Sequence, residues 1–330
     1  MERAALNEIA RRMAGAQRVA VLCHTHPDGD ALGSAYALKG LLARMGKQAC
    51  VLCADPVPAR LSFLFHEDPS AQEAKEQPYD LIMTVDVASP EQLGALRAPF
   101  CDRVQIKLDH HLVSTDFGAL GYVDPTAAAA GEIVYALAAE LQPFAPKTQL
   151  LCPEIAGFMY CAISSDTGGF RYSNVTAHTL QIASALLAAG ADGASISAGL
   201  FENMPRREAA ALGYIYSHIQ YFSGGRLAMV ACTNETKAQI GFEDEDFGSA
   251  SSLLRQIEGV DLAVSIRQSG VNAKIYKVSM RSGALVDSAA LCARFGGGGH
   301  VRAAGCTVSA DSVQEAQAQV LALCQEALHG

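Results

Sequence analysis

Short apolar runs alternate with segments of helical periodicity in the first third of the chain. The apolar runs cover residues 18–23, 48–53, 80–86 and 103–109, and residues 30–46 carry apolar side chains at helical spacing. Continuous apolar runs of this length are typical of strands that are buried on both faces of a parallel sheet. Their alternation with helices predicts right-handed βαβ units, which restricts this part of the chain to an α/β fold.

The pattern changes after residue 190, and a length of 330 residues favours two domains. We predict an N-terminal domain over 1–190, with a mostly parallel sheet and flanking helices. A helical linker over 191–215 and a smaller α/β domain over 216–330 are expected to follow. Further helices are predicted over 130–142, 149–163, 176–189, 246–257, 287–295 and 312–328, and further strands over 226–232, 260–267 and 273–281.

Composition narrows the class of protein. The net charge of −9 argues against a large basic surface for long duplex nucleic acid. A small anionic substrate remains compatible with this net charge, because divalent ions and a few arginines would supply positive charge locally. The chain contains no uncharged apolar run of about 18 residues, so we expect no membrane span. Ten cysteines without disulfide-like spacing, and the lack of a secretory signal pattern, predict a cytoplasmic protein.

Histidine and aspartate are concentrated in four short stretches, each of which follows or ends an apolar run. The stretches are His24-Thr-His-Pro-Asp28-Gly-Asp30, Val85-Asp86, Asp109-His110-His111 and Ser165-Asp166-Thr-Gly-Gly. In open parallel sheets, ligands bind beyond the carboxyl ends of the strands, so these side chains are expected to share one site. Their nitrogen and oxygen ligands would suffice for two divalent ions, and paired metals are typical of phosphoester chemistry.

Each stretch also has a purely structural interpretation. Asp30 precedes a helical pattern and could cap that helix. Asp86 could begin a turn, and Asp166 could belong to a helix C-terminal turn. The stretch 109–111 is more specific, because an imidazole ligand commonly needs a carboxylate or carbonyl on its other ring nitrogen. The two glycines after Asp166 would let the backbone approach a ligand.

The second domain has a signature of its own, Phe295-Gly-Gly-Gly-Gly-His300-Val-Arg-Ala-Ala-Gly305. The glycine run is predicted to be a loop, and the residues after it a tight turn or a helix start. Backbone N–H groups there, with His300 and Arg302, would form an anion cradle. Arg281 and Ser282, just upstream, offer a guanidinium and a hydroxyl that suit a phosphate group.

At these residues the chain resembles the DHH family of phosphoesterases. His24-x-x-Pro-Asp28-x-Asp30, Asp86, Asp109-His110-His111 and Asp166 match the family's four motifs in order, and the segment ending at His300 matches its associated C-terminal domain. Length and layout are most similar to the nanoRNase branch. The resemblance implies a metal-dependent phosphoesterase with its active-site cleft between the two domains.

The resemblance also implies roles for single residues. It assigns one Mn²⁺ to His24, Asp28 and Asp86, and a second to Asp30, Asp86, His110 and Asp166, with Asp86 bridging. Other divalent metals could substitute. Catalytic roles fall to Asp86, to Asp109 beside the ligands, and to His111, which would face the scissile phosphate. The rest of the substrate would be held by Arg281, Ser282, Gly297, Gly298, Gly299 and His300. His26 and Arg302 depart from the commoner family pattern and receive no role.

The function implied is hydrolysis of short single-stranded RNA to mononucleotides and of 3′-phosphoadenosine 5′-phosphate to AMP. One alternative is a phosphodiesterase of cyclic dinucleotides or of their linear dinucleotide products. Another is a non-catalytic nucleotide-binding regulator on the same fold, which the intact set of motif residues argues against. Both a monomer and a homodimer are compatible with the sequence.

Overall fold

A computed structural model describes residues 1–69 and 77–329 and divides the chain into two compact units, Met1–Asn203 and Met204–Gly330. Both units are α/β, which confirms the predicted fold class. The segment 191–215 crosses the division and contains two helices, Gly193–Phe201 in the first unit and Arg206–Ser217 in the second.

The first unit is built on a six-stranded, fully parallel sheet, as predicted. Its strands are β1 (Glu2–Arg3), β2 (Arg18–Leu22), β3 (Gln48–Leu52), β4 (Leu81–Val85), β5 (Ile106–Asp109) and β6 (Leu120–Val123), in the order β1-β6-β5-β4-β2-β3. The short strands β1 and β6 were not predicted from the sequence. Because β2 pairs with both β3 and β4, the chain reverses its direction of sheet growth at the β2–β4 pair. In doubly wound sheets this reversal opens a crevice beyond the strand ends.

Helices pack on both faces of this sheet. They are α1 (Leu6–Gly15), α2 (Gly29–Arg44), α3 (Arg97–Phe100), α4 (Ala130–Leu141), α5 (Pro153–Asp166), α6 (Ala177–Ala188) and α7 (Gly193–Phe201). Short 3-10 turns lie at Ala59–Leu61, Pro90–Leu96, Cys101–Arg103 and Gln142–Phe144. Within the described residues, no single helix is long and apolar enough to cross a membrane; α6 and α7 meet that criterion only jointly, and they are bent by 118° at the break between them.

The two helices α2 and α5 lie unusually close to each other because glycines line the contact. A Cβ placed at Gly33 would lie 2.4 Å from the carbonyl oxygen of Phe158. A Cβ at Gly29 would lie 2.6 Å from Cβ of Ser165, so the closeness extends to the N-terminal end of α2. The start of α2 is therefore held against the end of α5.

The second unit contains a mixed sheet in the order β11-β12-β10-β9-β8-β7. Its strands are β7 (Gln220–Phe222), β8 (Leu227–Cys232), β9 (Leu262–Gln268), β10 (Ile275–Ser282), β11 (Gly298–His300) and β12 (Ala303–Ser309). Its helices are α8 (Arg206–Ser217), α9 (Asn234–Ile240), α10 (Asp244–Phe247), α11 (Ala250–Arg255), α12 (Ser288–Ala293) and α13 (Val313–His329). One face of the sheet packs against α12 and α13, and the β8–β9 part of the other face is covered by α8, α10 and α11.

The glycine-rich segment differs from the prediction. Residues 298–300 form an edge strand, and a tight turn leads directly into β12, so no helix begins there. Two of the glycines are required by packing: a Cβ at Gly297 would lie 2.3 Å from the carbonyl of Gly305, and one at Gly299 would lie 2.6 Å from that of Ala303. A Cβ at Gly298 would meet no atom within 4 Å, so the strand has one open side there.

The close contact of α2 with α5 generates a stability prediction. In Gly33→Ala, the added methyl group must displace the backbone of α5, and we expect the free energy of unfolding to fall by about 2 kcal/mol. This loss should outweigh the higher helix propensity of alanine. Gly213→Ala in α8 is the matched control, because a Cβ there meets no atom within 4 Å. Urea unfolding should give equal or greater stability for the control; equal losses in both variants would contradict the close-packing argument.

Candidate metal centre

Three neighbouring strands deliver side chains to one edge of the parallel sheet. His24 follows β2, Asp86 follows β4, and Asp109 is the last residue of β5. The strand ends are aligned, because Leu22 is paired with Thr84 and the N–H of Asp86 donates to the carbonyl of Leu108 over 3.0 Å. The side chains at these ends are therefore brought together by strand register.

Helix α2 supplies two more carboxylates, and their roles differ from the capping role suggested by the sequence. Asp28, not Asp30, is the N-cap of α2, and it accepts from the N–H groups of Asp30 and Ala31 at 3.0 Å each. Asp30 lies in the first turn and is completely buried. It accepts from the N–H groups of Ala130 and Gly131 at 2.7 and 3.0 Å, so the N-terminus of α4 stabilises its negative charge.

One group of candidate ligands consists of His24, Asp28 and Asp86. His24 Nε2 lies 3.4 Å from Asp86 Oδ2 and 3.8 Å from Asp28 Oδ1. The other ring nitrogen, Nδ1, lies 2.7 Å from the carbonyl of Thr25, which can only accept a hydrogen bond. In the neutral ring the proton is therefore on Nδ1, and the lone pair of Nε2 is directed at the carboxylates, as a metal ligand requires.

A second group consists of Asp30, His110 and Asp166. His110 Nε2 lies 3.3 Å from Asp166 Oδ2, 3.4 Å from Asp86 Oδ1 and 3.6 Å from Asp30 Oδ2. Its Nδ1 lies 3.3 Å from the carbonyl of Ala127, which again leaves Nε2 as the ligand atom. His26 stays outside both groups, since its ring is 93% exposed and lies near Asp55.

Asp86 is the residue that contacts both groups. Its carboxylate is 3% exposed, with Oδ2 directed at His24 and Oδ1 at His110. Among the described residues, buried Oδ1 has no hydrogen-bond partner of normal geometry. Its backbone has φ of +58°, an uncommon conformation for a residue other than glycine and one often found at functional sites. A buried carboxylate oxygen without a partner, among oxygen and imidazole donors, fits divalent metal ions such as Mn²⁺.

Without metal, these groups perturb one another strongly. Burial opposes charge on both histidines, but hydrogen bonding to Asp86 raises the pKa of His24 to about 9. Hydrogen bonding to Asp166 and Asp86 raises the pKa of His110 to about 12. Burial disfavours the charge on Asp86 too, yet the two histidines hold the pKa of that carboxyl below its usual range. Burial and the neighbouring carboxylates raise the pKa of Asp30.

His111 lies beside the ligands and is oriented by Asp109. Its Nδ1 is 2.8 Å from Asp109 Oδ1, and Ser114 Oγ donates a hydrogen bond to the other oxygen of that carboxylate. Burial opposes the charge on Asp109, but hydrogen bonds from His111 and Ser114 lower its pKa below the usual range. Asp109 is thus an anion that fixes the His111 ring.

Lys107, which was not identified from the sequence, stabilises the positions of Asp109 and Ser114. Its side chain is completely buried, and Nζ donates to Ser114 Oγ at 2.7 Å and to the carbonyls of Thr115 and Ala88 at 2.8 and 3.1 Å. The same ammonium lies 3.5 Å from Asp109 Oδ2. Its position in an otherwise apolar run, two residues before Asp109, was the available signal.

The remaining candidate residues lie in the second unit. Arg281 and His300 both pair with Ala303, on β10 and β11 respectively, so the three residues form one row across the sheet on one face. The small Ala303 leaves a gap between the two basic side chains. Ser282 does not present its hydroxyl on this face: it is 5% exposed and donates to the carbonyl of Val286 over 2.7 Å.

Comparisons with known proteins fit this geometry. Residues 18–163 match the N-terminal domain of the DHH family, and residues 224–326 match the DHHA1 domain. A relative from Thermus thermophilus, named bifunctional oligoribonuclease and PAP phosphatase NrnA, is 30% identical over 311 residues, which cover 93% of this chain and 89% of that protein. The chain belongs to the DHH family. DHH phosphoesterases are metal-dependent, in agreement with these candidate ligand groups and with a third, overlapping group of Asp86, His110 and His111.

Two further comparisons extend over nearly the whole chain. A Bacillus subtilis protein of the same name is 27% identical over 316 residues, with 92% of this chain and 93% of that protein covered. The crystal structure of an exopolyphosphatase-related protein from Bacteroides fragilis has a TM-score of 0.81 at 22% identity, covering 98% of this chain and 95% of the other. At that identity the structural likeness establishes the fold alone.

Metal binding should release protons. His24 keeps its proton up to about pH 9 in the metal-free protein, and His110 up to about pH 12, whereas a metal requires the neutral ring. We therefore expect Mn²⁺ affinity to rise as the pH increases from about 6 to 9. Calorimetry in buffers of different ionisation enthalpy should detect the released protons. His26→Gln is the control, since that exposed ring should release none, and a binding enthalpy independent of the buffer would contradict the prediction.

The buried Lys107–Asp109 pair predicts a large stability loss on truncation. Lys107→Met leaves Asp109 charged, buried and without its cation, so the free energy of unfolding should fall by about 3 kcal/mol or more. Lys274→Met is the matched control, because its ion pair with Asp311 is exposed to solvent and should matter little. Urea unfolding measures the free energy of unfolding of both variants. Similar small losses in the two would mean that Lys107 does not stabilise the segment that carries Asp109.

Proposed function

We propose that this protein is a metal-dependent phosphoesterase that hydrolyses short oligoribonucleotides to mononucleotides and converts 3′-phosphoadenosine 5′-phosphate to AMP. The observation that carries the proposal is the pair of ligand groups that meet at Asp86 in a chain of the DHH family. The relatives from Thermus and Bacillus, which are similar over almost their entire length, are named for these two activities. We further propose a cytoplasmic location.

Two Mn²⁺ ions are the cofactors that this donor set favours. His24, Asp28 and Asp86 would hold one ion, and Asp30, Asp86, His110 and Asp166 the other. When bound, the ions would activate water for attack on phosphorus and offset charge on the phosphoryl oxygens.

His111 would supply a proton donor from the protein. Its Nδ1 is engaged by Asp109, so the protonated ring has Nε2–H free to donate to a phosphoryl or leaving oxygen. Hydrogen bonding to Asp109 raises the pKa of His111, which increases the protonated fraction near neutral pH. A fixed cationic donor beside the reacting phosphate would stabilise the charge that develops in the transition state.

We assign substrate selection to the second unit, with residues 1–190 as the catalytic domain, 191–215 as the connection and 216–330 as the substrate-binding domain. Arg281 and His300 would bind a phosphate across Ala303. The outward N–H groups of the β11 edge strand would add donors, because an edge strand leaves one side of its backbone without a partner strand. Ser282 would act by supporting this strand rather than by direct contact.

The proposal is tested by turnover with Mn²⁺ on a panel of substrates measured side by side. The panel contains RNA of two to seven nucleotides, 3′-phosphoadenosine 5′-phosphate, and a cyclic dinucleotide. Hydrolysis of the first two classes in preference to the third supports the proposal. Preference for the cyclic dinucleotide would indicate the alternative phosphodiesterase, and metal-dependent binding without turnover would indicate a regulator.

Asp86→Asn should lower kcat on every substrate of the panel by about 10³-fold or more, since metal ions supply several kcal/mol of transition-state stabilisation. Asparagine tolerates the positive φ at this position, so the fold should persist. Asp102→Asn, an exposed site before β5, is the control that should keep full activity. Near-normal turnover of Asp86→Asn would exclude a dinuclear centre bridged by this residue.

A further inference from the structure

A pocket of about 290 Å³ adjoins the candidate metal centre within the first unit. Its walls include two candidate ligands, Asp28 and Asp166, and three residues with no assigned role: Arg60, Tyr172 and Phe201. Small-molecule sites typically have volumes of roughly 300–1,000 Å³, so this pocket lies at the lower limit of that range and suits a ligand no larger than a single nucleotide.

Two aromatic rings in the pocket are unusually open to solvent. Tyr172 is 59% exposed and Phe201 is 43% exposed, although large apolar side chains are normally buried. The glycines after Asp166 make room for them. A Cβ at Gly168 would lie 2.3 Å from Cζ of Tyr172 and nearly as close to both Cε atoms, so the ring presents a face to this glycine. These glycines thus admit rings beside the metal centre, rather than a direct approach of the backbone to a ligand.

Hydrogen bonds hold the backbone of the turn that connects Asp166 to Tyr172. The N–H of Tyr172 donates to the carbonyl of Thr167 over 3.1 Å, and the side-chain amide of Asn174 donates to the carbonyl of Asp166 over 3.1 Å. Phe201 ends α7, and the guanidinium of Arg171 lies 5.6 Å from its ring centre. Tyr172 is therefore carried by the same hydrogen-bonded turn that follows the metal-ligand candidate Asp166, and Phe201 reaches the pocket from the end of α7.

Arg60, the remaining pocket residue without an assigned role, supplies positive charge. Arg60 is exposed on the 3-10 turn Ala59–Leu61, which the buried side chain of Leu61 anchors in the core. Arg60 forms no ion pair with any residue that the structure describes, although Asp28 and Asp166 line the same pocket. An unpaired guanidinium beside open aromatic rings is a combination suited to a nucleotide, because rings stack on bases and arginine binds phosphate.

We propose that this pocket binds the nucleotide flanking the scissile phosphate, with its base against Tyr172 and Phe201 and its other phosphate on Arg60. The inference rests on the proposed function, because it places the scissile phosphate at the adjoining metal centre. It assigns base recognition to the first unit, in addition to the phosphate contacts proposed for the second. Stacking accepts any base, so the pocket would favour nucleotides over base-free phosphates without selecting a sequence.

The kinetic test uses a 5′-phosphorylated RNA dinucleotide and two analogues that are each abasic at one position. Tyr172→Ala and Phe201→Ala should raise KM for the dinucleotide roughly 5- to 100-fold, the range measured for loss of one base stack. Removing the base from the bound position should weaken the wild type similarly and weaken Tyr172→Ala by a smaller factor, because only Phe201 is then left to contact the base. Arg60→Ala should raise KM more for the 5′-phosphorylated than for the unphosphorylated dinucleotide.

Matched variants separate stacking from general surface effects. Tyr172→Phe keeps the ring and should retain the wild-type KM, whereas Tyr172→Leu keeps bulk and should not. Phe144→Ala is the control, because it removes another open ring, which is 47% exposed. Phe144 follows the C-terminal end of α4, whereas the metal-ligand candidate Asp30 contacts the N-terminal end of that helix. If Tyr172→Ala lost the same factor on the dinucleotide and on both abasic analogues, base stacking at this site would be excluded.

An equilibrium measurement keeps the inference independent of turnover. Calorimetric binding of AMP should be tighter than that of ribose 5-phosphate in the wild type, and the difference should shrink in Tyr172→Ala and disappear when Tyr172 and Phe201 are both replaced by alanine. If the wild type hydrolysed no nucleotide but showed this difference, the proposed function would fail and the pocket assignment would stand. If it hydrolysed dinucleotides but bound AMP and ribose 5-phosphate equally, the pocket assignment alone would fail.

Discussion

The close contact between α2 and α5 is the constraint on which the site depends. The strands can align His24, Asp86 and Asp109 by register alone, but Asp28 and Asp30 reach the same point only if α2 begins there. Asp166 reaches it only if α5 ends there. Helices with ordinary side chains at their contact pack with axes roughly 8–10 Å apart. The glycine contacts at Gly33 and Gly29 hold these two helices together where the carboxylates converge.

This convergence places several negatively charged carboxylates close together, and only some of them have a stabilising partner within the fold. Asp30 is stabilised by the N-terminus of α4, and Asp109 by Lys107, so both carboxylates have dedicated partners within the fold. Asp86 has none of this kind: its charge is stabilised by the two histidines, and Oδ1 accepts no hydrogen bond of normal geometry from the described residues. Protonated histidines are therefore stand-ins for metal cations, which explains why their pKa values are raised so far. A buried carboxylate oxygen without a hydrogen-bond partner among the described residues is suited to bind a cation.

The sequence allowed the parallel sheet and the convergence of its strand ends to be predicted, because both follow from apolar runs and chain direction. It did not reveal β6, since Leu120–Val123 is short and contains a glycine. It suggested Asp30 as a helix cap, whereas Asp28 has that role, because capping depends on a backbone angle that residue type does not determine. It did not identify Lys107 or the aromatic pocket, because the partners of these residues come from distant segments of the chain. From the sequence the glycine run is compatible with a flexible loop, because glycine is rare in strands; in the structure, contact with β12 requires glycine there.

Under the proposed function an acidic protein has to bind a polyanionic substrate, and each unit offers a different kind of contact for it. A net charge of −9 repels nucleic acid at long range, so attraction must be local and short. The first unit offers candidate metal ligands, open rings and Arg60, which has no ion pair with any described residue; together these groups suit one phosphate and one base. The second offers a row of basic side chains across Ala303, separated by two strand spacings of about 4.8 Å each. Stacking on the open rings would add affinity that does not depend on charge. If the proposed function holds, the overall charge would disfavour long nucleic acids, and a few directed contacts would bind short ones.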